Sequence, residues 1–279
     1  MTIAEWLKKI GKTLQEHDFE QAPMEARFLL QAALGISPTD LILQSSRVVQ
    51  PEESERLTKW LKDRAAGVPL AYLSGTKGFY KYDFVVEPGV LIPRPETELV
   101  VTLALKRATQ VKRMADLGCG SGCIGLSFLK ERLEAKLWAV DASAICCRVT
   151  QENAQRLEVA DRTEVVHVEV EKWRPPEELD LIVSNPPYIP EGDPAVEKNV
   201  HLYEPHLALY SDKDGLKSIR AWVEFAAQNL RSGGGFVFEF GAGQSQAAQS
   251  IMSQAGFENL ELIKDFAGIE RVISGTKRG

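Results

Sequence analysis

Apolar residues recur at helical spacing through the first part of the chain and then give way to short unbroken runs. Ile3, Leu7, Ile10 and Leu14 share one face of a predicted helix, and Thr2 with Glu5 makes a capping box at its start. Pro23 has the place of a first-turn proline and Gly35 that of a C-cap, around Phe28, Leu29, Leu30, Ala33 and Leu34. Ser37-Pro38 opens a short third helix with Leu41, Ile42 and Leu43. A fourth runs from Pro51 to Ala66, is closed by Gly67, and turns Leu57, Trp60 and Leu61 inward. Together these predict a small all-helical domain over residues 1–75. The alternating stretch Phe79-Tyr80-Lys81-Tyr82-Asp83-Phe84, with glycines and Pro88 nearby, predicts a β-hairpin within a linker over residues 76–94.

From residue 95 onward, apolar strands alternate with helical segments. Candidate strands cover Arg113–Asp116, Leu137–Val140, Val165–Val168, Leu181–Val183 and Phe236–Phe240. Segments around Leu260–Ile263 and Arg271–Ser274 supply an antiparallel pair. Such alternation predicts an α/β, Rossmann-like domain over residues 95–279, with a mostly parallel sheet covered by helices on both faces. Ligands in this architecture bind beyond the carboxyl ends of the strands.

Three segments bring chemistry to those ends. Asp116 leads into Leu117-Gly118-Cys119-Gly120-Ser121-Gly122, a strand–glycine loop–helix junction where backbone and ligand approach closely. Gly118, Gly120 and Gly122 alternate as in adenosylmethionine-binding loops, whereas Gly120, Gly122 and Gly125 match the dinucleotide fingerprint. The second strand ends in Asp141, placed to accept ribose hydroxyls, which both ligand types carry. The third segment is Asn185-Pro186-Pro187-Tyr188, following Leu181, Ile182 and Val183. An Asn carbonyl and a backbone carbonyl within a stiff Pro-Pro segment can accept both N–H groups of a planar nitrogen, and a tyrosine ring can cover its face. A Pro-rich turn that merely ends a strand accounts for the tetrad alone equally well. With the glycine loop and Asp141, methyl transfer to an amide or amino nitrogen is favoured over hydride transfer, which has no use for two carbonyls gripping an amino group.

At this point the chain resembles the bacterial protein-(glutamine-N5) methyltransferases that modify peptide chain release factors. The resemblance runs nearly end to end, through Gly75-x-x-Gly78-Phe79, Leu91-Ile92-Pro93-Arg94-Pro95-Glu96-Thr97-Glu98, the glycine loop, Val140-Asp141 and Ser184-Asn185-Pro186-Pro187-Tyr188. Tyr203-Glu204-Pro205, Asp214-Gly215-Leu216 and Glu239-Phe240-Gly241 complete it. It implies a class I methyltransferase domain, S-adenosyl-L-methionine as methyl donor, and the glutamine of a release-factor Gly-Gly-Gln tripeptide as acceptor. The helical domain is then expected to contact the protein substrate. Implied cofactor residues are Gly118, Cys119, Gly120, Ser121, Gly122, Asp141, Asn185 and Trp173, the last flanking adenine or else filling a loop core. Implied catalytic residues are Asn185, Pro186, Pro187 and Tyr188. Lys172 stands where the family often has an acid, with Glu171 one place earlier.

Composition is compatible. A chain of 279 residues with 44% hydrophobic content supports one medium domain and a smaller partner. Its formal charge of −6 and pI near 5.4 weigh against a nucleic-acid substrate, leaving an amino methyltransferase of adenine or guanine as the alternative. A binding protein that has kept a cofactor fold is the second alternative. Cys119, Cys123, Cys146 and Cys147 lack metal-ligand spacing and are read as reduced and structural, so no metal is expected. His17, His167, His201 and His206 are scattered, and none is a catalytic candidate. Arg94 and Glu96 are read as a structural pair or as orienting the site, and Ile189 to Asp214 as a substrate-covering lid or else a flexible excursion with one short helix. No run reaches bilayer length and the N-terminus lacks a signal pattern, so a cytoplasmic monomer with no membrane partner is expected.

Overall fold

The computed structural model describes residues 1–107 and 110–279. Two compact units divide the chain at Gly75 and Thr76. The first contains α1 (Ile3–Glu16), α2 (Ala22–Leu34), α3 (Pro38–Leu43), α4 (Pro51–Ala65) and the one-turn α5 (Leu70–Ser74). Thr2 caps α1 reciprocally with Glu5, Ser37 caps α3 with Asp40, and Gly35 ends α2 in the left-handed conformation at φ 64°. Ile3, Trp6, Ile10 and Leu14 of α1 join Leu29, Leu30 and Leu57 in its core.

Not every apolar residue of these helices is buried: Phe28 is half exposed, and Ile42 and Leu43 are three-quarters exposed. A six-residue helix has one buried face, and in α3 Leu41 alone occupies it.

The second unit opens with the hairpin β1 (Thr76–Phe79) and β2 (Tyr82–Val85), antiparallel, with Tyr80 at φ 57° in its turn. After a 3-10 turn at Pro95–Thr97 come α6 (Glu98–Arg107), β3 (Arg113–Leu117), α7 (Cys123–Glu131), β4 (Lys136–Asp141), α8 (Ala144–Arg156), β5 (Thr163–His167) and β6 (Leu179–Ser184). The short helices α9 (Lys198–Tyr203) and α10 (His206–Leu209) precede α11 (Lys217–Asn229), β7 (Leu230–Glu239), α12 (Ser245–Gln254), β8 (Phe257–Lys264) and β9 (Glu270–Lys277). The seven strands lie in the order β5-β4-β3-β6-β7-β9-β8, parallel except for the β9 pairings. All six residues of β6 are buried, Leu179, Leu181, Ile182 and Val183 together with Asp180 and Ser184, as a central strand of a sheet covered on both faces requires.

Register decides what meets at the carboxyl edge. Leu117 pairs with Val140 on one side and Ser184 on the other, and Ser184 pairs with Phe238. One residue further along, Asp141 and Glu239 end β4 and β7 while Gly118 and Asn185 directly follow β3 and β6, so the four make a row along the carboxyl edge. The reversal of strand order falls between β3 and β6, within that row.

The opposite edge is held by one carboxylate. Asp180 accepts the backbone N–H groups of Lys112 and Arg113 at 3.1 and 2.9 Å, and the guanidinium groups of Arg113 and Arg231 at 3.3 and 2.6 Å. Burial works to raise its pKa, but these donors outweigh it and hold the carboxyl at about 2 instead of the ordinary 3.8. A native value below the unfolded one stabilises the fold above about pH 4, and the contribution fades as pH falls toward about 2. Asp180→Asn should accordingly cost on the order of 2 kcal/mol at pH 7 in urea unfolding, with the gap to wild type narrowing as the pH is lowered below 4.

Candidate active site

A cavity of about 670 Å³ opens at the carboxyl edge of the sheet. The glycine loop forms its floor. Gly118 and Cys119 donate their N–H groups to Val140 O at 2.9 and 3.1 Å, and Gly122 donates to Cys119 O at 2.7 Å, so the loop folds back on the end of β4 before α7 begins. Gly118 has φ 68°, and a Cβ there would stand 2.6 Å from the Trp222 ring; the position excludes any side chain. Gly118, Cys119, Gly120, Ser121, Cys123 and Ile124 all line the cavity.

Asp116 lies behind the loop. Its Oδ2 accepts the Gly125 N–H at 2.9 Å, which ties α7 to β3. Burial pushes this carboxyl up to about 7, partly offset by the Gly125 hydrogen bond, with the Asp141 charge a smaller upward contribution. Asp116 is thus a brace for the loop, not part of the cavity wall.

Asp141 does face the cavity. Its two oxygens accept Gly120 N–H at 2.9 Å and Ser143 N–H at 2.8 Å, which fix its rotamer and leave further lone pairs for a ligand. Burial raises its pKa, and those two N–H groups pull it back. Two side chains on α8 support the loop from below. Thr150 donates to Gly120 O at 3.0 Å, and Asn153 donates to Ser121 O at 2.9 Å while exchanging hydrogen bonds with the backbone of Val85 on the hairpin.

Asn185 and Pro187 line the cavity from the end of β6, whereas Pro186 is buried. Asn185 donates from Nδ2 to Thr97 Oγ1 at 3.3 Å. Tyr188 is directed away, its hydroxyl donating to Glu239 Oε1 at 2.9 Å. The Glu239 charge, with burial, holds the Tyr188 phenol well above its ordinary range, so it remains a donor. The Tyr188 carbonyl accepts from Gln244 Nε2 at 3.0 Å, and a Cβ on Gly215 would meet that same carbonyl oxygen at 2.3 Å. Gly215, at φ 69°, lets the returning chain pass directly beside the tetrad.

Trp173 requires a correction. Its ring is 6% exposed and stacks on Phe225 of α11 at 5.7 Å between centroids, so it fills a core and does not line the cavity. The indole on the wall is Trp222, also from α11, which donates from Nε1 to Glu171 at 3.2 Å. Trp222 carried no local signal, because its helix reads as an ordinary amphipathic segment. Arg94 is also reassigned: it pairs with Glu204, not Glu96, and Glu204 additionally accepts Ile92 N–H at 3.2 Å. Glu204 belongs to the stretch from Ile189 to Asp214, which holds two short helices instead of one and closes through Ser211 N–H to Ile189 O at 2.9 Å. Glu191, Pro205, Leu207 and Tyr210 of that stretch line the cavity.

The cysteines are free, and burial raises all four thiols, to about 12 at Cys146 and about 11 at Cys147. Protonated thiols are poor nucleophiles and poor metal ligands. No cluster of three His, Cys, Asp or Glu suited to a metal ion occurs among the described residues.

These features fit a nucleoside bearing a charged tail. Ser121 Oγ is buried on the cavity wall beside the Cys123 thiol, a weak partner that leaves it hydrogen-bonding capacity for a ligand oxygen. Asp141 offers acceptor capacity for paired hydroxyls, and the volume suits one such molecule with a substrate side chain beside it.

Comparison with known proteins agrees with this geometry. Residues 5–75 match the family model described as PrmC N-terminal domain, and residues 95–201 match the methyltransferase small domain. The release factor glutamine methyltransferase of Caulobacter vibrioides is 36% identical over 267 residues, covering 95% of this chain and 92% of that protein. Its counterpart in Geobacter sulfurreducens is 37% identical over 265 residues, covering 94% and 92%. A solved methyltransferase from Pyrococcus furiosus shares the fold at a TM-score of 0.52 and 16% identity, covering 81% of this chain and all of that one. With both domain models matched and relatives of this identity aligned over nearly its whole length, the chain belongs to the release factor glutamine methyltransferase family.

Proposed function

We propose that this protein transfers a methyl group from S-adenosyl-L-methionine to the side-chain amide nitrogen of the glutamine in the Gly-Gly-Gln motif of peptide chain release factors. One observation carries the reading: Asn185 shares the cavity wall with Gly118 and Asp141, in a chain of this family. In this reading the glycine loop, with Ser121 and the start of α7, holds the amino-acid end of the cofactor. Asp141 accepts its ribose hydroxyls, and Trp222 with the segment from Glu169 to Glu171 walls the far end of the cavity.

The acceptor chemistry follows from the amide. Its nitrogen is a weak nucleophile because the lone pair is delocalised into the carbonyl. Asn185 Oδ1 accepts one N–H and the Pro186 carbonyl accepts the other, which orients the nitrogen and stabilises the positive charge that develops on it. Pro187 stiffens the segment, so the two acceptors need no reorganisation. The cofactor supplies an electrophilic methyl on a sulfonium. After transfer the nitrogen is strongly acidic and gives up its proton without a strong base. Tyr188 holds the segment in place through Glu239 rather than covering the substrate. The helical unit, residues 1–75, contacts the protein substrate. Among the described residues no helix is long and apolar enough to cross a membrane.

The direct test is transfer of labelled methyl to purified release factor, with total tRNA, rRNA and DNA in parallel and a peptide map of any labelled protein. Label on the Gly-Gly-Gln glutamine is expected; label in nucleic acid alone would replace the substrate assignment with an adenine or guanine amine. Asn185→Ala should lower kcat by roughly 100-fold or more while the Kd for adenosylhomocysteine stays close to wild type by calorimetry. Asp141→Ala should do the converse, weakening adenosylhomocysteine by roughly 10- to 100-fold through lost hydrogen bonds to a charged acceptor.

A further inference from the structure

We infer that Glu239 and Thr97 form a buried relay that dictates which end of the Asn185 amide faces the cavity; the catalytic consequence rests on the function proposed above, while the relay itself does not. Glu239 ends β7, is 2% exposed, and has no ion pair among the described residues. Its partners are two hydroxyls. Thr97 donates to Oε2 at 2.6 Å and Tyr188 donates to Oε1 at 2.9 Å. Burying a carboxylate with only neutral donors is costly for a group whose sole task is to brace a fold.

The chemistry of Thr97 makes the arrangement directional. A threonine hydroxyl has one hydrogen. That hydrogen is committed to Glu239, so toward Asn185, 3.3 Å away, Oγ1 can act only as an acceptor. The group of Asn185 that meets it must therefore be the NH2, which turns Oδ1 toward the cavity. An asparagine amide is close to isosteric about its own flip, so packing alone discriminates weakly between its two orientations. The flipped amide would present N–H groups to the N–H groups of a substrate nitrogen, donor against donor. Glu239 prevents this through Thr97, and through Tyr188 it fixes the other end of the same tetrad. Glu239 and Thr97 are positioning residues: neither needs to touch the substrate.

Thr97→Val preserves shape and removes the acceptor. Glu239→Gln keeps the size but offers an NH2; where that NH2 donates to Thr97, the threonine hydrogen is released toward Asn185 and selects the opposite flip. Thr97→Ser restores the hydroxyl. The readout is the side-chain amide signal of Asn185 in asparagine-labelled protein, assigned by its loss in Asn185→Asp, together with kcat, the Kd for adenosylhomocysteine and the melting temperature.

The relay predicts that Thr97→Val and Glu239→Gln shift the Asn185 amide signal and speed its hydrogen exchange. Turnover should fall by roughly tenfold or more with adenosylhomocysteine affinity maintained. Thr97→Ser should recover both the signal and turnover relative to Thr97→Val. An Asn185 signal unchanged in both Thr97→Val and Glu239→Gln would overturn the relay. If wild-type protein leaves release factor unlabelled, the proposed function fails, and the amide spectrum still decides the relay on its own.

Discussion

Parallel strand register is the constraint on which this molecule depends. Because β4, β3, β6 and β7 pair without offset at their carboxyl ends, four residues distant in sequence arrive side by side: Asp141, Gly118, Asn185 and Glu239. The side-chain period of a strand is two, so slipping any one strand by a single residue would turn its row member to the other face. In the proposed function the ends of the four strands supply a cofactor floor, a ribose acceptor, a substrate acceptor and the buried group that orients it. Asp180 fixes the same register from the opposite edge, joining β3, β6 and β7 at their starts.

The carboxyl edge concentrates negative charge. Asp116, Asp141 and Glu239 are all buried there, burial raises each of them, and none has an ion pair among the described residues. Backbone N–H groups and hydroxyls stabilise them instead: Gly125 for Asp116, Gly120 and Ser143 for Asp141, Thr97 and Tyr188 for Glu239. The cavity wall itself carries Asp141, Glu169, Glu171, Glu191 and Asp212 against Arg94 and Lys217, an acidic balance that favours a cationic ligand over a polyanionic one. That electrostatic character agrees with a sulfonium cofactor and disfavours the phosphates of a dinucleotide, the distinction that the overlapping glycine patterns left open.

What was legible in the sequence was what is encoded locally. The capping box at Thr2, the helix start at Ser37-Pro38, the glycine end of α2, the apolar runs of the sheet and the acidic residue that ends β4 each depend on neighbours a few places away. The tetrad and the glycine loop were equally visible, since their chemistry lies in consecutive residues. Roles set by tertiary contact were not. Thr97 and Glu239 stood within quoted motifs but acquire meaning only because β7 brings Glu239 to a threonine 142 positions earlier. Trp173 was placed correctly along the chain and wrongly in space, because Phe225 on α11 captures its ring while Trp222 takes the wall. Tyr188 shows the same limit: its hydroxyl has a buried partner that no local pattern announces. Glu239 did have a usable signal, being an acidic residue that ends an apolar run, as Asp141 does.

The central claim is that two carbonyls, Asn185 Oδ1 and the Pro186 backbone oxygen, grip the acceptor nitrogen. The structure of this protein with adenosylhomocysteine and a Gly-Gly-Gln peptide tests it most directly. The account predicts the glutamine amide nitrogen within hydrogen-bond distance of both oxygens, with its lone-pair face toward the sulfur and Asn185 Nδ2 still on Thr97. A glutamine amide bound elsewhere, or one held by its carbonyl on Asn185 Nδ2, would contradict it.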